Sequence, residues 1–184
     1  YYYMKSNNKK IAIRMQWDDP SPELPRKEGV TFLDELAVQF ALSGKNIFDG
    51  PFLGMGERKK PVYIWHWRAD DIFKPYRNNN IPIKSNKISV LAVNPFRELP
   101  VEELNAKGFG ALSVQSLEDQ QLVGKGRWKE ERWDVIFVRD LKTVGRWDVQ
   151  FQPGKTVLLA FAVWDGKNKD KSAGKLVSNW KFNA

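Results

Sequence analysis

The chain of 184 residues contains no cysteine and a single histidine, His66. The first absence excludes disulfides, thiolate metal sites, iron–sulfur clusters and covalent haem attachment through cysteine within these residues. The second excludes multi-histidine metal centres, and any zinc hydrolase or Ser-His-Asp enzyme would have to be built around His66 alone. No apolar run reaches the roughly eighteen residues that suggest a membrane span. No general acid–base pair or activated nucleophile can be assembled from spacing, so catalysis by this chain alone is not expected. The lack of cysteine leaves the compartment open, because disulfide-free proteins occur everywhere.

What is abundant is aromatic: 8 Trp, 11 Phe and 5 Tyr. Such residues suit pleated, half-buried surfaces, and the length suits one domain with a sizeable core. The net charge is +8, but the basic residues are scattered. Small clusters stand at Lys9-Lys10, at Arg58-Lys59-Lys60 and between Lys167 and Lys175, without the Gly-aromatic signature of RNA-binding domains. That pattern reads as a solvated surface, or one that docks an acidic partner subunit, rather than as a nucleic-acid interface.

Period-two alternation dominates. In 10–17, Ile11, Ile13, Met15 and Trp17 alternate with Ala12, Arg14 and Gln16, and Asp18-Asp19-Pro20 ends the run. A second alternation covers 36–42, where a short helix is the alternative. Residues 45–60 form a Gly-containing loop, and 61–68 read strongly as strand. Residues 70–87 are a polar excursion, 88–93 a short strand, and 98–107 a helical turn or two. Strands at 108–115, 133–139, 147–152, 156–164 and 176–182 complete the set. Because Phe161-Ala162-Val163-Trp164 is apolar on both faces, its strand is expected to lie centrally. Residues 1–10 read as the end of a strand, a polar turn and the next strand, as if the chain began inside a domain. The expectation is a single all-β domain over 1–184, a two-sheet immunoglobulin-like β-sandwich with a few short helical turns.

Several blocks together resemble a known family. They include Trp17-Asp18-Asp19 closing the first alternation, Val38-Gln39-Phe40, Met55-Gly56, Tyr63-Ile64-Trp65-His66-Trp67, and Arg139-Asp140-Leu141 closing the strand from Trp133. Pro153-Gly154-Lys155, Phe161-Ala162-Val163-Trp164-Asp165-Gly166 and Ser178-Asn179-Trp180 follow. Their order and spacing are similar to the γ subunits of ethylbenzene dehydrogenase and dimethyl sulfide dehydrogenase. The resemblance implies a β-sandwich that holds one haem b and passes electrons, usually in the periplasm. Its implied partners are a catalytic molybdenum subunit and an iron–sulfur subunit. It also implies that the first strands of the family's domain precede Tyr1.

In that family a Met and a Lys hold the haem iron, and the matching positions carry Gln39 and Gln150. A carboxamide is a poor haem ligand, so replacement ligands are sought at Met55 in the Gly54-Met55-Gly56 loop, at His66, and at Lys142. Each has a plain alternative: a Met filling a gap, a hydrogen-bonded core His, a solvated turn Lys. Two further readings stand beside electron transfer. One is a haem-free structural or docking subunit of the same kind of complex. The other is a carbohydrate-binding sandwich, which would need exposed coplanar Trp residues among Trp65, Trp67, Trp133, Trp147 and Trp164. Asp18-Asp19 and Asp70-Asp71 could seat calcium, although paired Asp beside Pro or at a strand end usually makes turns.

Overall fold

The computed structural model describes residues 1–24, 32–43, 48–69 and 101–183. Among them two antiparallel sheets face each other. The smaller has the order β1-β2-β8-β7, built from β1 (Tyr2–Ser6), β2 (Lys10–Asp18), β8 (Arg132–Asp140) and β7 (Val123–Trp128). The larger has the order β10-β9-β3-β4-β5-β6, with β11 also on the edge of β9. Its strands are β10 (Leu176–Val177), β9 (Val157–Trp164), β3 (Glu35–Ala41), β4 (Val62–Arg68), β5 (Val101–Ala106), β6 (Leu112–Val114) and β11 (Lys181–Asn183). The all-β sandwich expected from alternation is the architecture found. Among the described residues, helical geometry is limited to short turns such as the 3-10 turn Gly166–Asn168. No helix among the described residues is long and apolar enough to cross a membrane.

The alternation assigns the faces. Ile11, Ile13 and Met15 of β2 and Trp133, Val135 and Phe137 of β8 point inward from the small sheet. Leu36, Val38 and Phe40 of β3 and Tyr63, Trp65 and Trp67 of β4 meet them from the large one. Aromatic edges interlock across this layer, with Trp67 against Trp133 at 4.8 Å and Phe40 against Trp65 at 4.8 Å between ring centroids, separations that favour edge-to-face attraction. One charged side chain shares the layer. Arg139 of β8 is fully buried and donates to Tyr63 Oη at 2.7 Å, to Asp140 O at 3.1 Å and to Val149 O.

Where alternation misled, tertiary packing supplies the reason. Residues 101–106, expected to be helical, form β5, whose Glu102 and Glu103 are both buried and hide the apolar period. Residues 147–152 keep their alternation, with Val149 and Phe151 buried and Gln150 exposed, yet form no strand. They return as a loop tied by Phe151 N to Leu141 O at 2.9 Å. The expected strand at 176–182 is split between β10 and β11. The alternative of a helix at 36–42 gives way to β3. The expected strand at 88–93 and the excursion at 70–87 lie outside the described residues.

β7 carried no strand signal, because Gly124 and Gly126 lower β propensity. The glycines are there for clearance. A Cβ on Gly126 would collide with the Trp67 indole, and one on Gly124 would lie 2.6 Å from Val101 Cγ1. Neither side chain can yield in a close-packed core. Gly126→Val is therefore expected to lower the unfolding free energy by about 1–3 kcal/mol, read by urea denaturation. An unchanged midpoint would show that Trp67 is free to move aside.

Candidate functional site

The face of the large sheet turned away from the core forms the floor of a pocket of about 680 Å³, within the usual range for ligand sites. Strand register sets out the floor in rows. Ala162, Ala37, His66 and Glu102 lie side by side across β9, β3, β4 and β5. Ala160, Gln39, Ile64 and Leu104 form the next row, and Trp164, Glu35 and Arg68 the one on the other side. Three alanines keep the middle of the floor low, while Met55, Leu112 and Val114 pack along the margin.

The single histidine is engaged on both ring nitrogens: Nδ1 lies 2.8 Å from Glu102 Oε1 and Nε2 lies 2.9 Å from Glu35 Oε2. Burial opposes a charge on the ring, but the hydrogen bonds it donates to two carboxylates outweigh that and push the pKa up to about 9. His66 is thus an imidazolium at neutral pH with no lone pair to offer a metal.

Met55 lines the pocket. Its backbone is left-handed at φ 76°, a conformation non-Gly residues rarely adopt. The loop is tied from several sides: Gly56 N to Phe52 O at 2.8 Å, Gly108 N to Met55 O at 2.9 Å, and Gln39 Nε2 to Leu53 O at 3.2 Å. Gln39, which the resemblance sets at a ligand position, faces the pocket and anchors the loop that carries the thioether. Gln150 does not line the pocket. It is exposed, with its carboxamide bonded to Thr143. Lys142 is likewise exposed and outside the lining.

A different lysine is in place. Lys175 lines the pocket, its Nζ lies 5.1 Å from the Trp164 ring centroid and donates to Ser172 O at 2.9 Å. Burial lowers its pKa. The sequence analysis gave Lys175 no site role, though its place just before a strand-like Leu176-Val177 pair was a usable signal. Met55 comes from the end of the floor where β4 begins, and Lys175 from the end where β9 finishes. Thioether and amine thus reach one pocket from opposite ends of the strands.

The remaining candidates resolve simply. Trp65, Trp67 and Trp133 are core, Trp164 walls the pocket, and Trp147 is the one indole of the eight that is mostly exposed, at 51%. A carbohydrate platform of coplanar exposed indoles is not formed. Asp18 pairs with Arg132 at 2.9 Å, while Asp19 accepts Ser21 N at 3.2 Å as a turn residue does. Asp19 lies with Glu23, Asp34 and Asp165 so that one carboxylate oxygen of each falls within 4.8 Å of the others. Asp70-Asp71 lies outside the described residues.

Residues 108–175 match the family model described as ethylbenzene dehydrogenase. The chain is 28% identical over 169 residues to the chlorate reductase subunit gamma of Ideonella dechloratans, covering 92% of this chain and 57% of that one. It is 26% identical over 171 residues to a protein of Haloferax mediterranei provisionally named a respiratory nitrate reductase heme subunit, covering 93% and 50%. To the dimethylsulfide dehydrogenase subunit gamma of Rhodovulum sulfidophilum it is 24% identical over 182 residues, covering 95% and 56%. The chain spans about half the length of these curated relatives.

Because the folded-state pKa of His66 is raised from 6.5 to about 9, its contribution to stability is full below pH 6.5 and is lost as pH rises through 9. On the order of 2–3 kcal/mol is at stake. The sole imidazole in the chain makes the proton NMR titration unambiguous, with an expected midpoint near 9. A midpoint near 6.5, or a His66→Gln variant whose stability still falls across that window as the parent's does, would refute the paired imidazolium.

Proposed function

We propose that this relative of the ethylbenzene dehydrogenase-type γ subunits is an accessory electron-transfer subunit of a multi-subunit molybdenum oxidoreductase, holding one haem b in the pocket on the outer face of the large sheet. The observation that carries the reading is the convergence of Met55 and Lys175 on that pocket. Thioether and neutral amine form the ligand pair that the family resemblance implies. Burial eases the loss of the Lys175 proton, which an amine must give up before it can donate to iron. Ala37, Ala160 and Ala162 leave room for a flat group, Trp164 and Leu104 exclude water from it, and the His66 imidazolium stays with Glu35 and Glu102. Bound haem would supply reversible one-electron chemistry at a potential tuned by ligands and burial. Names among the relatives support the direction: one is a heme subunit and two are γ subunits of a reductase and a dehydrogenase.

One observation favours a second reading, a haem-free docking subunit. Gln39 occupies the family's Met position and spends its amide on the loop at Leu53. A visible spectrum after haem reconstitution separates the two. The expected result is a low-spin Soret band that Met55→Ala and Lys175→Met each shift or abolish, while Lys142→Ala and Gln150→Ala leave it unchanged. No spectrum at all transfers the assignment to the haem-free subunit, and a spectrum indifferent to both pocket variants removes Met55 and Lys175 as ligands.

The same reading gives the chain a catalytic molybdenum subunit and an iron–sulfur subunit as partners, outside the cytoplasmic membrane. Purification of the native protein is then expected to yield an assembly rather than a lone chain. A stable monomer at both low and high salt would contradict it.

A further inference from the structure

Two of the chain's three basic clusters, more than a hundred residues apart in sequence, meet around one opening. Leu53, Met55, Phe109 and Gly110 line one side of the pocket, and Asp170, Lys171, Ser172 and Ala173 line the other. On the first side Arg58, Lys59 and Lys107 are exposed on the segments that carry those lining residues. On the second, Lys167, Lys169 and Lys171 are exposed on the loop that follows β9. Glu57, exposed, and Asp165 and Asp170, both half-buried, are the acidic residues of these segments. No ion pair of these six cations occurs among the described residues. Between the cations stand exposed apolar side chains: Phe52 and Phe109 in edge contact at 6.0 Å on one side, Leu176 and Val177 on the other.

We infer that this rim is the docking surface for an acidic electron-carrying protein, whose carboxylates meet the six cations and whose redox centre is brought over the pocket mouth. The inference rests on the electron-transfer reading and adds the surface and the charge of the partner. Geometry favours the mouth over the rest of the molecule. Behind the floor lie the core and the second sheet, about 10 Å further on, and tunnelling between redox groups falls steeply with distance. The outer face of the small sheet is also basic, but half of its cations are spent, Lys10 on Asp140, Arg14 on Asp134 and Arg132 on Asp18, and Lys5, Lys125 and Arg127 surround no pocket. An apolar centre with a charged periphery is the usual anatomy of a specific interface. Unspent charge at its edge speeds encounter and selects the partner's sign.

A plant-type [2Fe–2S] ferredoxin, small and strongly acidic, serves as the probe. Zero-length carbodiimide coupling followed by peptide mass spectrometry reads docking without needing haem, and stopped-flow reduction of the reconstituted protein reads electron transfer. Two variants of equal net charge are compared with the parent. One reverses Lys167, Lys169 and Lys171 to Glu, the other reverses Lys5, Lys125 and Arg127 on the small sheet's outer face. The expected result is coupling at the rim lysines and a bimolecular rate that falls with added NaCl. The rim variant should lose about tenfold or more in rate and the control about twofold or less. Equal losses in the two variants, coupling spread over the whole surface, or no salt dependence would overturn the inference. So would tighter binding of a DNA duplex or of anionic phosphatidylglycerol vesicles at the same lysines. If coupling maps to the rim while haem does not bind, the docking surface stands and the electron-transfer reading falls. If haem binds and is reduced without preference for the rim, the reverse holds.

Discussion

A guanidinium stands at the centre of this sandwich, and its satisfaction constrains both sheets at once. Arg139 leaves β8 of the small sheet and ends among groups of the large one. It hydrogen-bonds Tyr63 Oη, while Glu103 and Asp148 lie 3.9 Å away on either side and the rings of Tyr63, Trp65 and Phe151 face it at 5.0–5.6 Å. A buried charge is tolerable only when paired and fully hydrogen-bonded. Glu103 is fixed in turn by the Tyr63 hydroxyl and by the backbone N–H groups of Gln121 and Leu122, and Asp148 by Thr143 and Gln115. Sliding either sheet by one residue would leave this charge without its partners.

The pocket is the other side of that constraint. Strand side chains alternate between faces, so holding Glu103 inward turns Glu102 outward, and burying Trp65 and Trp67 turns His66 outward between them. The His66–Glu35–Glu102 group is thus fixed by the core it does not belong to. It uses the chain's only imidazole to hold three strands together across the floor. Asp34 extends the same economy to the rim. It is fully buried and accepts Glu23 N, Gly166 N and the Trp133 indole N–H. One carboxylate therefore ties the start of β3 to the small sheet and to the lysine-bearing loop after β9. Asp165 steadies that loop by accepting Lys167 N at 2.8 Å.

This arrangement separates rigid from adaptable parts of the proposed site. The floor is built of paired strands, whereas both proposed iron ligands sit in loops. Met55 is held in a left-handed conformation by its neighbours, and Lys175 follows the left-handed residues Lys169 and Ser172. Gln39 faces the pocket without an unsatisfied carboxamide, because its Nε2 donates to the backbone at Leu53.

Strand alternation and aromatic content, read from the sequence alone, determined the class of fold and set His66 on the face opposite Tyr63, Trp65 and Trp67, because side-chain period in a strand depends on nothing beyond the strand; which face turns inward was decided by the second sheet. The absence of cysteine and the solitary histidine likewise settled which cofactor chemistries the chain could not perform. Long-range contact decided the rest. β7 was invisible because its glycines answer to Trp67 and Val101, residues far away in sequence. β5 was misread because its glutamates are buried by partners on two different faces. His66 kept its place on the face but lost its role as a ligand candidate, since only pairing with β3 and β5 brings Glu35 and Glu102 to its two nitrogens. Lys175 became a candidate and Lys142 ceased to be one for the same reason: whether a lysine is solvated or half-buried beside an indole is fixed by which strands pair, and no local pattern records it.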